Sequence, residues 1–380
     1  MRRTKTLALF AAAASVTVAL AGCGANSEAP PASGSSDTAT AGQQPAAGGA
    51  QVGVVLPETA TSARWEGFDK PYIEQALRAA GLDPDVQNAQ GDVQKFSTLA
   101  DGMINDGVKV LIIASINSEL GGTVAQKANA QGIPTIDYDR LNLGGSSDYY
   151  VSFDNVKVGE LQGQGLADAL KDKPQGAQVI EIEGAPTDNN ATLFHNGQQN
   201  VLKPLYDSGK LKLVRSQPID NWDNQVGGTT FEQIFTSNGS KVDGVVAAND
   251  GLAGAVITVL KKYGLNGKVP VTGQDATADG LKAILSGDQY MTVFKPIKEE
   301  AEATAKLAAA LAKGDKAAAD KIATDKSDDP TGKRTVNSVL LEPFLITKAE
   351  VKRVIDEGYV KAEEVCTGET QAACTELGIS

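Results

Sequence analysis

The sequence predicts an α/β protein built as two doubly wound parallel-sheet lobes. Three observations carry this. From Gln51 onward, short apolar runs alternate with longer runs of helical period, the mark of repeated βα units. Several of the short runs are apolar throughout, as strands buried on both faces require. The chain past residue 50 holds roughly 330 residues, more than one ordinary domain accommodates.

The first set opens with a strand at Gln51–Leu56 (QVGVVL). A helix follows over Gly67–Ala80, with Phe68, Tyr72, Ala76 and Ala80 on one stripe and Gly81 as its C′ residue. Val93–Asp106 repeats the helical pattern and ends at Gly107. Val108–Ala114 (VKVLIIA) is the next strand, Leu120–Gln131 a helix and Ile133–Tyr138 a strand. The alternation restarts after Asn155. Helices are expected at Val156–Leu170, Ala191–Tyr206, Asn224–Thr236, Leu252–Tyr263 and Ala276–Ser286. Strands are expected at Gln178–Glu183, Leu211–Ser216, Gly244–Ala247, Val269–Thr272 and Tyr290–Val293. An Ala-rich helix covers Ile297–Lys313. Gly314–Arg334 reads as a charged loop with room for a short helix. Ser338–Leu341 reads as a strand and Lys348–Glu357 as a helix.

The first 50 residues read differently. Arg2, Arg3 and Lys5 precede an apolar stretch from Leu7 to Leu20, too short to span a bilayer, which ends in Leu20-Ala21-Gly22-Cys23. Residues 1–22 are therefore expected to be a signal peptide. Cys23 resembles the acylated cysteine of a bacterial lipobox, which would fix the protein to the outer face of the cell membrane. Residues 23–50, rich in Ala, Gly, Ser, Pro and Gln, lack the apolar side chains to fold and read as a flexible tether. In an exported chain, Cys366 and Cys374 are expected to pair as a disulfide. With His195 the only histidine and no CxxC pair, no metal site is expected. The net charge of −12 argues against nucleic acid as a partner.

Ligands of open parallel sheets bind beyond the carboxyl ends of the strands. The residues that follow the strands here are Glu58, Arg64 and Trp65; Asp139 and Arg140; Asp188, Asn189 and Asn190; Asp220, Asn221 and Trp222; Asn249 and Asp250; Gln274 and Asp275; and Lys295. Singly, an Asn or Asp in such a place is as often a turn former or helix N-cap. Together, carboxylates, amides, cations and both tryptophans of the chain suit a sugar. Planar side chains match hydroxyl pairs, and aromatic faces match C–H surfaces. The same inventory speaks against catalysis. There is no GxSxG elbow, P-loop or GxGxxG after a strand, and His195 lies within a helical run. Neighbouring Arg and Lys would keep the carboxylates ionised, unfit for a general acid.

The strings SARW (Ser62–Trp65), YDR (Tyr138–Arg140), SFDN (Ser152–Asn155), VGELQ (Val158–Gln162), DNNA (Asp188–Ala191), VLKP (Val201–Pro204), AND (Ala248–Asp250), GQDA (Gly273–Ala276) and FKP (Phe294–Pro296) occur in this order. They resemble the D-xylose-binding proteins of bacterial ABC importers, and equally the related multiple-sugar-binding protein that feeds plant-virulence signalling in soil bacteria. The resemblance runs from Gln51 to about Tyr359; the tether and the two C-terminal cysteines fall outside it. It implies the type I periplasmic binding fold, two lobes joined by a three-segment hinge. The first lobe would be residues 51–153 plus 295–336, and the second 154–294 plus 337–380. Crossings are expected at Ser152–Asn155, Thr292–Lys295 and Asn337–Leu341. It also implies a cleft lined by Arg64, Trp65, Asp139, Arg140, Asn189 or Asn190, Trp222, Asn249, Asp250, Asp275 and Lys295. The function implied is capture of a monosaccharide, D-xylose first, and its delivery to a membrane permease, by a monomer with no cofactor. A multiple-sugar-binding sensor subunit for a membrane receptor is the alternative. A sugar-responsive repressor would need an N-terminal helix-turn-helix where this chain has a lipobox.

Overall fold

The computed structural model describes residues 50–379; the expected signal peptide, Cys23 and the tether lie outside them. Two sheets organise the described chain. The first receives β1 (Ala50–Leu56), then α1 (Lys70–Ala79), β2 (Leu82–Asn88), α2 (Val93–Asn105), β3 (Val110–Ile113), α3 (Ser118–Ala130), β4 (Thr135–Tyr138) and β5 (Tyr149–Phe153). The chain then builds the second through α4 (Asn155–Leu170), β6 (Ala177–Glu183), α5 (Asn189–Asp207), β7 (Leu211–Pro218), α6 (Asn224–Ser237), β8 (Gly244–Ala247), α7 (Asp250–Lys262), α8 (Ala278–Ser286) and β9 (Thr292–Phe294). It returns to the first for α9 (Ile297–Ala312), α10 (Lys316–Ile322), β10 (Asp325–Asp329) and β11 (Arg334–Leu341), and ends beside the second with β12 (Phe344–Ile346) and α11 (Val351–Asp356).

The first sheet has seven strands in the order β10-β11-β5-β4-β3-β1-β2, parallel except for the β10–β11 pair. It is wound on both faces. Val54, Ile112 and Val151 pack with Ile73 and Leu77 of α1 and Ala301, Ala305 and Ala308 of α9. Val55, Leu111 and Ile113 point the other way, onto Phe96 and Met103 of α2 and Val124 and Ala128 of α3. This alternation within apolar strands is what burial on both faces produces. The second sheet has the parallel order β7-β6-β8, extended by a bridge from Val245 to Val271 and followed by the antiparallel pair β9-β12. Ile180 and Ile182 pack on α6 and α7 through Phe231, Leu252 and Val256, while Val179 and Val246 pack on Leu166 and Leu170 of α4 and Leu202 of α5.

Several expectations need correction. Leu82–Asn88 is a strand although its sequence, LDPDVQN, lacks a strand pattern. It lies at the sheet edge, where the missing N–H of Pro84 costs little. Tyr149–Phe153 is a full strand and not merely the approach to a crossing. The charged Gly314–Arg334 segment holds α10 and the edge strand β10, whose Asp325 and Asp328 are exposed while Asp329 is buried, accepting from the Gly144 and Gly332 N–H groups and Arg334. Of Val269–Thr272, only Val271 pairs. β11 stays paired to β5 as far as Leu341, so the first sheet keeps its chain past the expected boundary at Val336. The crossings between sheets run through Phe153–Asn155, Phe294–Ile297 and Leu341–Phe344. Cys366 and Cys374 form a disulfide in the C-terminal tail, which packs on α8 through Val365, Ala373 and Cys374. No helix among the described residues is long and apolar enough to cross a membrane.

Candidate functional site

The carboxyl ends of the strands in both sheets converge on one cleft. It is lined by Glu58, Thr61, Ser62, Arg64, Trp65, Asp139 and Arg140 from the first sheet's side, by Asp188, Asn190, Phe194, Trp222, Asn249, Gln274 and Asp275 from the second's, and by Lys295 at a crossing. Nine of the residues expected from the sequence are in this wall. The other two are not. Asn189 turns out toward a separate surface groove beside Thr187 and Thr192, so of the DNN pair Asn190 is the one that lines the cleft. Asp250 lies behind the wall. Its carboxylate accepts from Gln289 Nε2 at 2.8 Å, Thr292 Oγ1 at 2.8 Å and Thr277 N at 2.9 Å. It fixes the start of α7 to the segment that carries Asp275.

Arg64 is the most heavily committed side chain. Four N–H bonds of its guanidinium reach carboxylates: Asp69 twice, at 2.9 and 2.7 Å, Asp139 at 2.7 Å and Glu300 at 3.1 Å. A guanidinium has five such donors, so one remains for a ligand. Asp69 also accepts from Tyr138 Oη at 2.7 Å. Burial pushes the Asp139 carboxyl up, but Arg64, Lys295 and Arg140 together outweigh it and hold it below the usual carboxylate range. Burial, reinforced by the Asp139 charge, drives the Glu300 carboxyl well above that range.

Asp139 and Asp275 sit in left-handed backbone conformations, with φ of 61° and 94°. Such conformations strain a residue with a Cβ and recur at ligand sites. The turn after β4 is held by Asp139's own carbonyl, which accepts from Ser152 Oγ at 2.8 Å, Tyr150 Oη at 3.0 Å and Asn190 Nδ2 at 2.8 Å. Lys295 Nζ lies 3.1 Å from Asp275 Oδ1 and 3.9 Å from Asp139 Oδ2, bridging the two sides. Arg140 Nε lies 3.0 Å from Asp188 Oδ2, so it pairs across the cleft and not with the adjacent Asp139. Asn249 caps α7, accepting from Leu252 N at 2.9 Å, while lining the cleft.

The aromatic wall consists of Trp65, Phe194 and Trp222. Arg64 and Arg140 lie over the Trp65 ring, 4.5 and 5.0 Å from its centroid. Trp222 meets Phe194 edge to face at 6.4 Å and donates Nε1–H to Asp188 at 3.1 Å. Its ring presses on Gly184, where a Cβ would lie 2.1 Å from the indole.

Two buried polar atoms of the wall, the donor Trp65 Nε1 and the acceptor Gln274 Oε1, have no protein partner, while Arg140 Nε and Asp275 Oδ1 meet only their ion-pair partners Asp188 and Lys295. Buried polar groups are nearly always paired, and this donor and this acceptor belong to residues of the same wall. The set fits a small ligand that both donates and accepts, as a hydroxyl does.

Asp69, Phe194 and Glu300 are absent from the sequence reading. Phe194 follows Asn190 by one helical turn and so shares its face, a signal that was available. Glu300 lies on the buried stripe of α9 with Ile297, Ala301 and Thr304; a charge on an apolar stripe is also a signal. Asp69 is marked by no pattern, since its partners Tyr138 and Asp139's ally Arg64 are joined only by folding.

Residues 52–316 match the periplasmic binding protein domain. The chain belongs to that family. It is a binding protein and not an enzyme, and its architecture is the type I periplasmic binding fold. It is 39% identical over 303 residues to the D-xylose-binding periplasmic protein of Escherichia coli, covering 80% of this chain and 88% of that protein. It is 36% identical over 331 residues to the multiple sugar-binding periplasmic receptor ChvE of Rhizobium radiobacter, covering 83% and 92%. A solved ABC transporter solute-binding protein from Clostridium phytofermentans with bound β-D-glucose superposes with a TM-score of 0.75 at 32% identity, covering 83% of this chain and 99% of that one.

Proposed function

We propose that the protein is an extracytoplasmic solute-binding lipoprotein, held by an acylated Cys23, which captures a monosaccharide between its lobes and delivers it to the permease of an ABC importer. D-xylose is the first candidate ligand, on the similarity to the Escherichia coli protein. The observation that carries the reading is that one cleft is lined by a buried donor and a buried acceptor without a protein partner, Trp65 Nε1 and Gln274 Oε1, beside charged side chains already balanced in pairs. A sugar hydroxyl satisfies both kinds, and the ion pairs that balance Arg140 and Lys295 suit a neutral ligand. Asp139, Asp275 and Asn190 would accept from or donate to hydroxyls, and Trp65 and Trp222 would meet the ring's C–H faces. The ligand touches both sides only when they are together, so binding favours closure about the three crossings. The glucose-bound relative and the likeness to the multiple-sugar receptor favour a second reading, a broader hexose and pentose receptor that signals to a membrane partner.

Both tryptophans of the chain line the cleft. Intrinsic fluorescence of residues 24–380, titrated with xylose, glucose, galactose and arabinose, is therefore the test. Saturation with xylose alone supports the first reading and saturation with several sugars the second. No response to any sugar, with no heat in calorimetry, rules out both. Asp275→Asn is expected to weaken binding by about 2–5 kcal/mol, because Lys295 then loses its buried partner; unchanged affinity would remove Asp275 from the site.

A further inference from the structure

We propose that Glu181, Glu183 and His195, joined by the side-chain oxygen of Gln198, form a binding site for a divalent transition-metal cation of the zinc type. None of the four residues lines the sugar cleft. Glu181 and Glu183 are two apart on β6 and share the face that α5 covers; both are buried. His195, Gln198 and Gln199 form the matching stripe of α5. Candidate ligand atoms of Glu181, Glu183 and His195 all lie within 4.8 Å of one another.

Two independent features call for a positive centre here. Glu181 is fully buried. Its Oε1 accepts from Tyr206 Oη at 2.8 Å and Gln199 Nε2 at 3.0 Å, while its Oε2 has no partner. The ion pairs of the described residues give these two carboxylates no Lys or Arg, only His195 Nδ1, 3.3 Å from Glu183.

The second feature is an oxygen facing an oxygen. Gln162 Nε2 donates to the carbonyls of Ala248 and Gly273, at 3.0 and 3.2 Å. Its Oε1 therefore needs a donor, which Gln198 Nε2 supplies at 2.9 Å. That leaves the Gln198 oxygen 2.8 and 3.2 Å from the two carboxylate oxygens of Glu183. Turning the Gln198 amide over moves the conflict to Gln162, whose own orientation is fixed by the two carbonyls. Oxygens about 3 Å apart are ordinary when both ligate one cation. A cation held by Glu183 and Gln198 answers this contact, and Glu181 and His195 each place a candidate ligand atom within 4.8 Å of that of Glu183.

Two carboxylates, an imidazole and an amide oxygen form a mixed N/O donor set, which suits zinc better than calcium or magnesium. Ligands about 2.1 Å from zinc stand at most about 4.2 Å apart, so the cluster must contract by a few tenths of an ångström. His195 is half-buried and can turn to do so.

The test uses untagged residues 24–380, which keep every described residue and lack the Cys23 thiol. EDTA-stripped protein is titrated with zinc chloride by calorimetry and followed by thermal melting. The expected result is one saturable zinc site, a raised melting temperature, and at least about tenfold weaker zinc binding in Glu181→Gln and His195→Gln. Sugar titration of both variants should match the unmodified protein, which shows that they fold. No saturable zinc binding, or variants that bind zinc as well as the parent, overturns the site. In the first case the contact between Gln198 and Glu183 holds a proton instead, and burial already raises the Glu183 carboxyl. The outcome does not depend on which sugar, if any, the cleft takes.

Discussion

At the scale of single residues, the cleft depends on buried charges that compensate one another. Arg64 is enclosed by Asp69, Asp139 and Glu300, all buried. Replacing it with Met leaves buried Asp69 without its cation and Asp139 with only the more distant Lys295, 3.9 Å away. The expected cost is about 3–5 kcal/mol in urea unfolding; a loss under about 1 kcal/mol would mean that the carboxyls take up protons instead. Asp250 carries a pH signature. Burial pushes its carboxyl up to about 7, against hydrogen bonds from Gln289, Thr277 and Thr292 that pull it down. An unfolded aspartate titrates near about 3.9. The folded value is the higher one, so this group's stabilisation is complete below about pH 4 and is lost as pH rises through about 7. Asp250→Asn cannot lose a proton. Between about pH 5 and about pH 8 its melting temperature is expected to fall less than that of the parent. Parallel slopes in the two proteins would place Asp250 in the folded state as an ion.

At the scale of elements, the closest packing in the second lobe is between α4 and α5. A Cβ on Gly159 would lie 1.9 Å from the Phe194 carbonyl oxygen, and one on Gly197 would lie 2.0 Å from that of Val156. The two helices touch backbone to backbone, and α5 carries Asn190 and Phe194 into the cleft. Gly159→Ala must push α5 aside, at an expected cost of about 1–3 kcal/mol of stability. Sugar binding should weaken with it, through residues that the mutation does not touch. Retained affinity in a destabilised protein would mean that α5 shifts without moving its N-terminus. The elements also explain what could be read beforehand. Strand ends were legible because βα alternation identifies a parallel sheet, and a parallel sheet puts its ligand at one edge; hence Arg64, Asp139, Asn190, Asp275 and Lys295. Asp250 resembles them in sequence but turns inward, since as the first residue of α7 it meets Thr277 and Gln289 from chain far downstream. β2 and β10 were illegible because an edge strand needs no apolar face; LDPDVQN and DKSDD are held by pairing on one side. Asp69 and Glu300 meet at Arg64 although 231 residues separate them (300 − 69), a distance that local pattern does not bridge.

At the scale of the whole molecule, the question is what keeps the lobes together. The cleft leaves the centre of a water-sized sphere only about 30 Å³ in which to move, room for a few waters at most. A monosaccharide of about ten heavy atoms needs several times that, so entry requires the lobes to part. Contacts between the two sides oppose parting, among them Arg140 Nε to Asp188 at 3.0 Å, Asn190 Nδ2 to the Asp139 carbonyl at 2.8 Å, Asn224 Nδ2 to the Thr61 carbonyl at 3.3 Å, and Lys295 Nζ, which reaches Asp275 at 3.1 Å and Asp139 at 3.9 Å from its crossing. The first joins full charges directly from one side to the other, and both partners are largely buried. Asp188→Asn keeps the size of the side chain and, with its one oxygen, the acceptor for the Asn190 N–H at the start of α5, but removes the charge facing Arg140 and the acceptor for Trp222 Nε1. The sugar-free variant should therefore populate the open form more than the parent does, while the sugar-bound forms coincide. Small-angle scattering would register this as a larger radius of gyration without sugar and an equal one with it. Sugar affinity should fall by the same factor as the closed population, since the ligand must then supply the closing free energy. If the sugar-free radius is unchanged while affinity falls, Asp188 acts on the ligand directly and the closed state is held by the packing of the lobes.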